Sequence, residues 1–125
     1  MRALIVDDSK AMRSIVGRIV KQIGFEIIEA GNGREGLEQL SAHGDVDLIL
    51  VDWNMPEMNG IEFLQAVRAQ PGSSAFKMLM VTTASDLAHI NTAMEAGANE
   101  YLMKPFTKEA MVSKLQLLGV LEDTQ

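Results

Sequence analysis

The sequence predicts an α/β fold: one doubly wound, five-stranded parallel sheet flanked by five helices. Three observations point there. Short apolar runs alternate with helix-period segments along the whole chain. The runs Arg2-Ala3-Leu4-Ile5-Val6, Asp47-Leu48-Ile49-Leu50-Val51 and Lys77-Met78-Leu79-Met80-Val81 are almost continuously aliphatic, as strands covered on both faces must be. Each run stops at a polar residue and a turn or cap: Asp7-Asp8 after the first, Asp52 after the third, Thr82 after the fourth.

In order, Ser9 is a helix N-cap after the first strand. Met12, Ile15, Val16, Ile19 and Ile23 then recur at helical spacing, and Gly24 supplies the stop. Phe25 to Ala30 is the second strand. Asn32 or Gly33 starts a helix whose apolar face holds Leu37 and Leu40. The third strand ends at Asp52 and turns through Trp53-Asn54-Met55-Pro56-Glu57-Met58-Asn59-Gly60. Asn59 caps a helix carrying Ile61, Leu64 and Val67, and Pro71-Gly72-Ser73-Ser74 is a loop. The fourth strand ends at Thr82. Leu87, Ile90 and Met94 mark a fourth helix closed by Gly97, and Tyr101-Leu102-Met103 ends at Lys104. Thr107 caps a last helix with Met111, Leu115 and Leu118 inward. Residues 1–121 form one domain, and Glu122-Asp123-Thr124-Gln125 is a polar tail.

The bulk numbers exclude several functions. With 125 residues the chain holds one domain with a real core. A net charge of −6 argues against a nucleic-acid binder, which needs a basic face. No cysteine means no disulfide and no thiolate metal site. No apolar stretch approaches the ~20 residues a membrane span needs, and Asp7 comes too early for a signal peptide. The expectation is a cytoplasmic protein, monomeric, without nucleic-acid or membrane partners.

The strand ends gather the chemistry. In open α/β sheets, ligands collect at the C-terminal edge of the strands. If the first and third strands are neighbours, in the order 2-1-3-4-5, Asp7, Asp8 and Asp52 converge there. One carboxylate pair at ~4 Å costs roughly 4 kcal/mol at an effective dielectric of ~20. A divalent cation relieves that repulsion, and an all-oxygen acidic site favours Mg²⁺. Taken singly, Asp7-Asp8 could be turn and cap acids, Thr82 a strand-end hydroxyl, Tyr101 a strand aromatic and Lys104 a solvated charge. His43 and His89 carry no partner signature and are expected to be exposed. Most of the nine methionines fill the core, with Met55 and Met58 expected at the site's rim and Trp53 at the pocket edge.

Asp7-Asp8, the segment Asp52-Trp-Asn-Met-Pro-Glu-Met-Asn-Gly60, Thr82, Tyr101 and Lys104-Pro105-Phe106 together resemble the receiver domain of two-component response regulators. The match spans all five strand ends. The wording Asp-Trp-Asn-Met-Pro, Leu-Met-Val-Thr and Lys-Pro-Phe-Thr resembles the single-domain, CheY-like chemotaxis regulators in particular. Flavodoxin and CheY themselves exemplify the 2-1-3-4-5 order. Ala84 departs from that subfamily, which often carries an acid two positions after the threonine.

The resemblance implies a specific chemistry. Asp52 is the phosphoacceptor. Asp8, Asp52 and the Asn54 backbone carbonyl hold Mg²⁺, with Asp7 acting largely through water. Lys104 neutralises a phosphoryl oxygen, aimed by a cis Lys104–Pro105 bond. Thr82 and Tyr101 form the switch. The implied phosphodonor is a histidine kinase of the CheA-like type or a small phosphodonor, and the implied target is a flagellar switch or another protein. Such a chain signals rather than turning over substrate. Two other readings compete. One is a Mg²⁺-dependent aspartyl-phosphate phosphatase of the haloacid dehalogenase type. Adjacent acids where that family resembles Asp-x-Asp, and a chain too short for a cap domain, weigh against it. The other is a flavin module, disfavoured by the acidic mouth and the missing Ser/Thr-rich phosphate loop.

Overall fold

The computed structural model describes residues 1–121 except 54, 56, 73–75 and 105, and the side chains of residues 84, 85 and 87 are also left aside. Expectations for the Asn54 carbonyl, the Lys104–Pro105 bond, the tail 122–125, part of the loop after Pro71 and the Leu87 side chain therefore lie outside the described residues.

Five strands, β1 (Arg2–Val6), β2 (Glu26–Ala30), β3 (Leu48–Asp52), β4 (Lys77–Thr82) and β5 (Glu100–Met103), alternate with α1 (Lys10–Ile23), α2 (Gly33–Ala42), α3 (Gly60–Arg68), α4 (Ile90–Ala96) and α5 (Lys108–Leu117). All neighbouring strands are parallel, in the order β2-β1-β3-β4-β5. Side chains alternate across each strand, so the sheet feeds two cores. Leu4, Val6, Ile49, Val51, Met78 and Met80 face Leu40, Phe63, Leu64, Val67 and Ala93 of α2, α3 and α4. On the other face Ala3, Ile5, Leu48, Leu50, Leu79, Val81 and Leu102 meet Val16, Val20, Met111 and Leu115 of α1 and α5.

The expected caps are present. Ser9, Asn32, Asn59 and Thr107 each accept a hydrogen bond from the backbone N–H three residues on. Asn59 and Glu62 complete a reciprocal capping box. Gly24 and Gly97 end α1 and α4 at φ of +124° and +120°, a region that glycine enters freely. Arg68 reaches from α3 to this second stop. Its Nε donates to the Gly97 carbonyl at 3.0 Å and its Nη2 to Asn99 Oδ1 at 2.8 Å.

Four details differ from the sequence reading. Ile15 is 51% exposed, because Val16, Gly17 and Val20 fill the contact with the sheet and turn Ile15 outward. The fourth helical segment is split: Ala84–His89 winds as a 3₁₀ helix, and the α-helix begins only at Ile90. Met55 is buried in the core rather than on the rim. His43 is half-buried at the end of α2, where its N–H donates to the Gln39 carbonyl.

Candidate functional site

Strand register places the polar residues at one edge. Val6 of β1 pairs with Val51 of β3, so Asp7 comes level with Asp52. Asp52 pairs with Val81, which sets Thr82 one step further out. Thr82 pairs with Met103, which sets Lys104 one step beyond that. The Lys104 backbone N–H donates to the Thr82 carbonyl at 2.6 Å, and the side chain turns back over the strand ends.

Its ammonium lies 3.0 Å from Asp52 Oδ1 and 3.6 Å from Asp7 Oδ2. The Asp52 side chain is 12% exposed and that of Asp7 is 6% exposed, while Asp8 stands in solvent. Burial pushes the Asp52 carboxyl above the usual carboxylate range. The hydrogen bond from Lys104 opposes that push, and the charges of Asp7 and Asp8 add to it. Asp7 is held on three sides. Its Oδ1 accepts the Ser9 N–H at 2.9 Å, its backbone N–H donates to Ala30, and its carbonyl accepts Arg13 Nη1 at 2.6 Å.

One carboxylate oxygen from each of Asp7, Asp8 and Asp52 lies within 4.8 Å of the others. An octahedral Mg²⁺ takes oxygens at about 2.0–2.1 Å, which spaces its ligands by roughly 3 to 4 Å. The donor set is all oxygen and the cluster is nearly the right width, so these residues fit that ion. Asp8, which faces solvent, is open to a hydrated cation; one oxygen of Asp7 is already engaged by Ser9.

The α3 N-terminus fixes the phosphoacceptor candidate's backbone. The Gly60 N–H donates to the Trp53 carbonyl at 3.0 Å. A Cβ at Gly60 would stand 2.8 Å from the Asp52 carbonyl oxygen and 3.0 Å from Trp53 Cα. Only glycine permits that approach.

Thr82 is 2% exposed, and its hydroxyl donates to the Thr83 carbonyl at 3.4 Å, a long bond. Tyr101 is half-buried against the core under α2, α3 and α4. The Lys114 ammonium lies 4.5 Å from its ring centre and also pairs with Glu100 at 3.1 Å. Met58 lines a groove with Asn32, Gly33, Arg34 and Glu57, and none of the three acids lines it. Trp53 is half-buried and packs against the core under α2, α3 and α4. His89 is exposed, as expected, but it does have a partner: its ring stacks on Trp53. The sequence carried no signal for that stack, nor for Lys114 on Tyr101 or Arg13 on the Asp7 carbonyl. His89 and Trp53 are far apart along the chain, while Arg13 reaches back six residues to Asp7 and Lys114 sits on the helix that follows the strand of Tyr101; apolar periodicity encodes none of these side-chain contacts.

The model of the response regulator receiver domain matches residues 3–116. The chain belongs to the response regulator receiver family. This membership sets it apart from the dehalogenase-type phosphatases. The receiver is 40% identical over 119 residues to the chemotaxis protein CheY1 of Helicobacter pylori, covering 94% of this chain and 96% of that protein. It is 40% identical over 117 residues to the chemotaxis protein CheY homolog of Campylobacter jejuni, covering 93% and 90%. Its fold superposes on the chemotaxis protein CheY4 of Vibrio cholerae with a TM-score of 0.85 at 35% identity, over 93% of this chain and 96% of that one. The receiver is thus CheY-like in fold and a signalling protein by family. Among the described residues, no helix is long and apolar enough to cross a membrane.

Proposed function

We propose that this receiver is a phosphorylation-activated response regulator with Asp52 as phosphoacceptor, working with Mg²⁺ held by Asp8, Asp52 and the Asn54 carbonyl. The observation that carries the reading is the Lys104 ammonium 3.0 Å from a buried Asp52 carboxylate that shares its pocket with two more acids.

The residues divide the work as follows. An Asp52 carboxylate oxygen attacks the phosphorus of a phosphohistidine or of acetyl phosphate. The new bond is an acyl phosphate, and the P–N or P–O bond to the donor breaks. Mg²⁺, when bound, neutralises charge on the transferring group. Asp7, with one oxygen on Ser9, acts through water. Lys104 holds Asp52 in place and then meets a phosphoryl oxygen. Phosphoryl transfer asks chiefly for such positioning and charge neutralisation.

Thr82 and Tyr101 read the product. The long Thr82–Thr83 bond is weak, so the hydroxyl is free to move to a phosphoryl oxygen. Hydrogen bonds to charged groups are worth about 1.5–3 kcal/mol each, so Thr82 and Lys104 together supply roughly 3–6 kcal/mol. Shifting a two-state equilibrium from 1:99 to 99:1 takes about 5.5 kcal/mol. The switch is feasible with little surplus, and partial activity without phosphate follows. Movement of Thr82 frees space for Tyr101, whose ring then alters the surface of α4, β5 and α5.

Residues 1–121 act as one receiver domain, monomeric and cytoplasmic. The relatives named as chemotaxis proteins, at 40% identity over nearly the whole chain, support a CheA-like histidine kinase as donor and a flagellar switch protein as target. The test is intact-mass spectrometry with acetyl phosphate and Mg²⁺. The parent gains one phosphoryl group; Asp52→Asn and a chelator each abolish the gain. A phosphoryl group appearing on Asp52→Asn overturns the assignment.

A further inference from the structure

Trp53, the residue after Asp52, stacks on His89 at the start of α4. Their ring centres lie 4.2 Å apart with planes 25° from parallel. Trp53 is bonded to Asp52, and its backbone is pinned on both sides: its N–H donates to the Val81 carbonyl and its carbonyl accepts from Gly60. His89 stands where the 3₁₀ segment gives way to α4. It occupies the N-cap position there, and its side chain makes no cap hydrogen bond. A 3₁₀ run longer than three or four residues is uncommon, and a 3₁₀ stretch within a helical segment often marks a hinge; this one has six residues and runs directly into α4. The imidazole is therefore not spent on the helix it begins. It lies on the residue next to Asp52.

We propose that the His89–Trp53 stack is a latch that holds this hinge in the unmodified protein, and that its release carries the modification of Asp52 to α4. The proposal rests on the reading of Asp52 as phosphoacceptor, and it adds a positioning residue separate from Thr82 and Tyr101. Hydrogen bonds supply the mechanical link. Thr83, next to Thr82, donates from Oγ1 to Asp86 Oδ2 at 2.9 Å, and the Asp86 N–H donates to the Thr83 carbonyl at 3.1 Å. The start of the 3₁₀ segment is thus tied to the strand end that carries the Thr82 hydroxyl. When that hydroxyl moves to a phosphoryl group on Asp52, the segment moves with it. Trp53 cannot follow, because β4 and α3 hold its backbone. The two rings slide apart and α4 is released. A stacked aromatic pair biases such an equilibrium by roughly two- to tenfold. The whole switch spans about ten-thousandfold, so the latch trims the resting population of the active form and does not make the switch alone.

The only tryptophan of the chain reports on the latch directly. The experiment measures acrylamide quenching of Trp53 in the parent, His89→Ala and His89→Phe, each with Mg²⁺, before and after beryllofluoride, alongside acetyl phosphate labelling by intact mass. Phenylalanine keeps the stacked ring and removes the imidazole's polarity. In the parent and His89→Phe, quenching is low and rises on beryllofluoride. In His89→Ala it is already high and changes little. The labelling rate of His89→Ala rises by roughly two- to tenfold. If the parent fails to label, the phosphoacceptor reading falls. If all three label but quench alike, before and after beryllofluoride, the latch alone is overturned.

Discussion

Replacing Asp52 by asparagine should stabilise the metal-free protein, and the site geometry says why. At an effective dielectric of ~20, like charges at the 4.8 Å limit of the acidic cluster repel by about 3.5 kcal/mol per pair. The Lys104 ammonium at 3.0 Å attracts Asp52 by about 5.5 kcal/mol on the same scale. Asp8 faces solvent, so its share is screened. The repulsion from Asp7, with a screened share from Asp8, offsets more than half of that attraction, and burial, the largest influence, tips the balance against the charged carboxylate and raises its pKa. Removing an imperfectly compensated buried charge should recover about 1–3 kcal/mol, with each kcal/mol moving the melting temperature by roughly 3–5 °C for a domain of this size. The pH dependence has a definite sign. The folded state holds the Asp52 proton more tightly than the unfolded chain, so the parent loses stability as pH rises from the ordinary carboxylate range through the raised value. Asparagine does not titrate. The gap between the two proteins should be small in acid, open across that window and stay open at neutral pH. Mg²⁺ should close it by stabilising the parent. Thermal or urea unfolding in chelator, repeated across pH, measures it. A mutant no more stable than the parent at neutral pH, or a gap that ignores pH, would refute this balance of charge and burial at Asp52.

Two further outcomes follow from the same geometry. Gly60→Ala drives a methyl group into the Asp52 carbonyl and Trp53 Cα; it should cost about 1–3 kcal/mol of stability in urea unfolding and slow acetyl phosphate labelling, whereas Gly44→Ala, with nothing within 4 Å, should do neither. Asp8→Ala should weaken Mg²⁺ binding by calorimetry more than Asp7→Ala, with losses of at least about tenfold, because Asp7 already commits one oxygen to Ser9; the reverse order would exchange their roles.

The fold was legible because its strands are buried on both faces. A run such as Leu48–Val51 can only sit inside a covered sheet, and a side-chain oxygen at Ser9, Asn32, Asn59 or Thr107 announces each helix start. Two of the differences, Ile15 and the 3₁₀ segment, share one cause. Periodicity tells which residues are apolar, not which of two adjacent ones meets the sheet, so Ile15 and Val16 looked alike until Gly17 and Val20 set the contact angle. The same limit hid the 3₁₀ segment. Ile90 and Met94 suit an α-helix, but the turn Thr83–Asp86 tightens the chain before them.

The site was legible for a different reason, and only in part. Residues at strand ends are placed by the register of the strands behind them, and that register is set by the apolar runs. Asp7 level with Asp52, Thr82 one step out and Lys104 two steps out is a staircase that aliphatic pairing builds. What no run encodes is how far a side chain folds back. Lys104 begins two steps beyond Asp52, yet its ammonium returns to 3.0 Å from that carboxylate because its stem has the length to cross the gap. A shorter side chain at 104 could not. The contacts missed by sequence reading, His89 on Trp53, Lys114 on Tyr101 and Arg13 on the Asp7 carbonyl, are likewise set by how a side chain reaches from one element to another, whether the two are neighbours in the chain or not. Two of them touch residues next to, or in, the acidic cluster, and the third touches the residue assigned to the switch. Strand register thus places the chemical groups, while side chains reaching between elements hold those groups and the residues that read them.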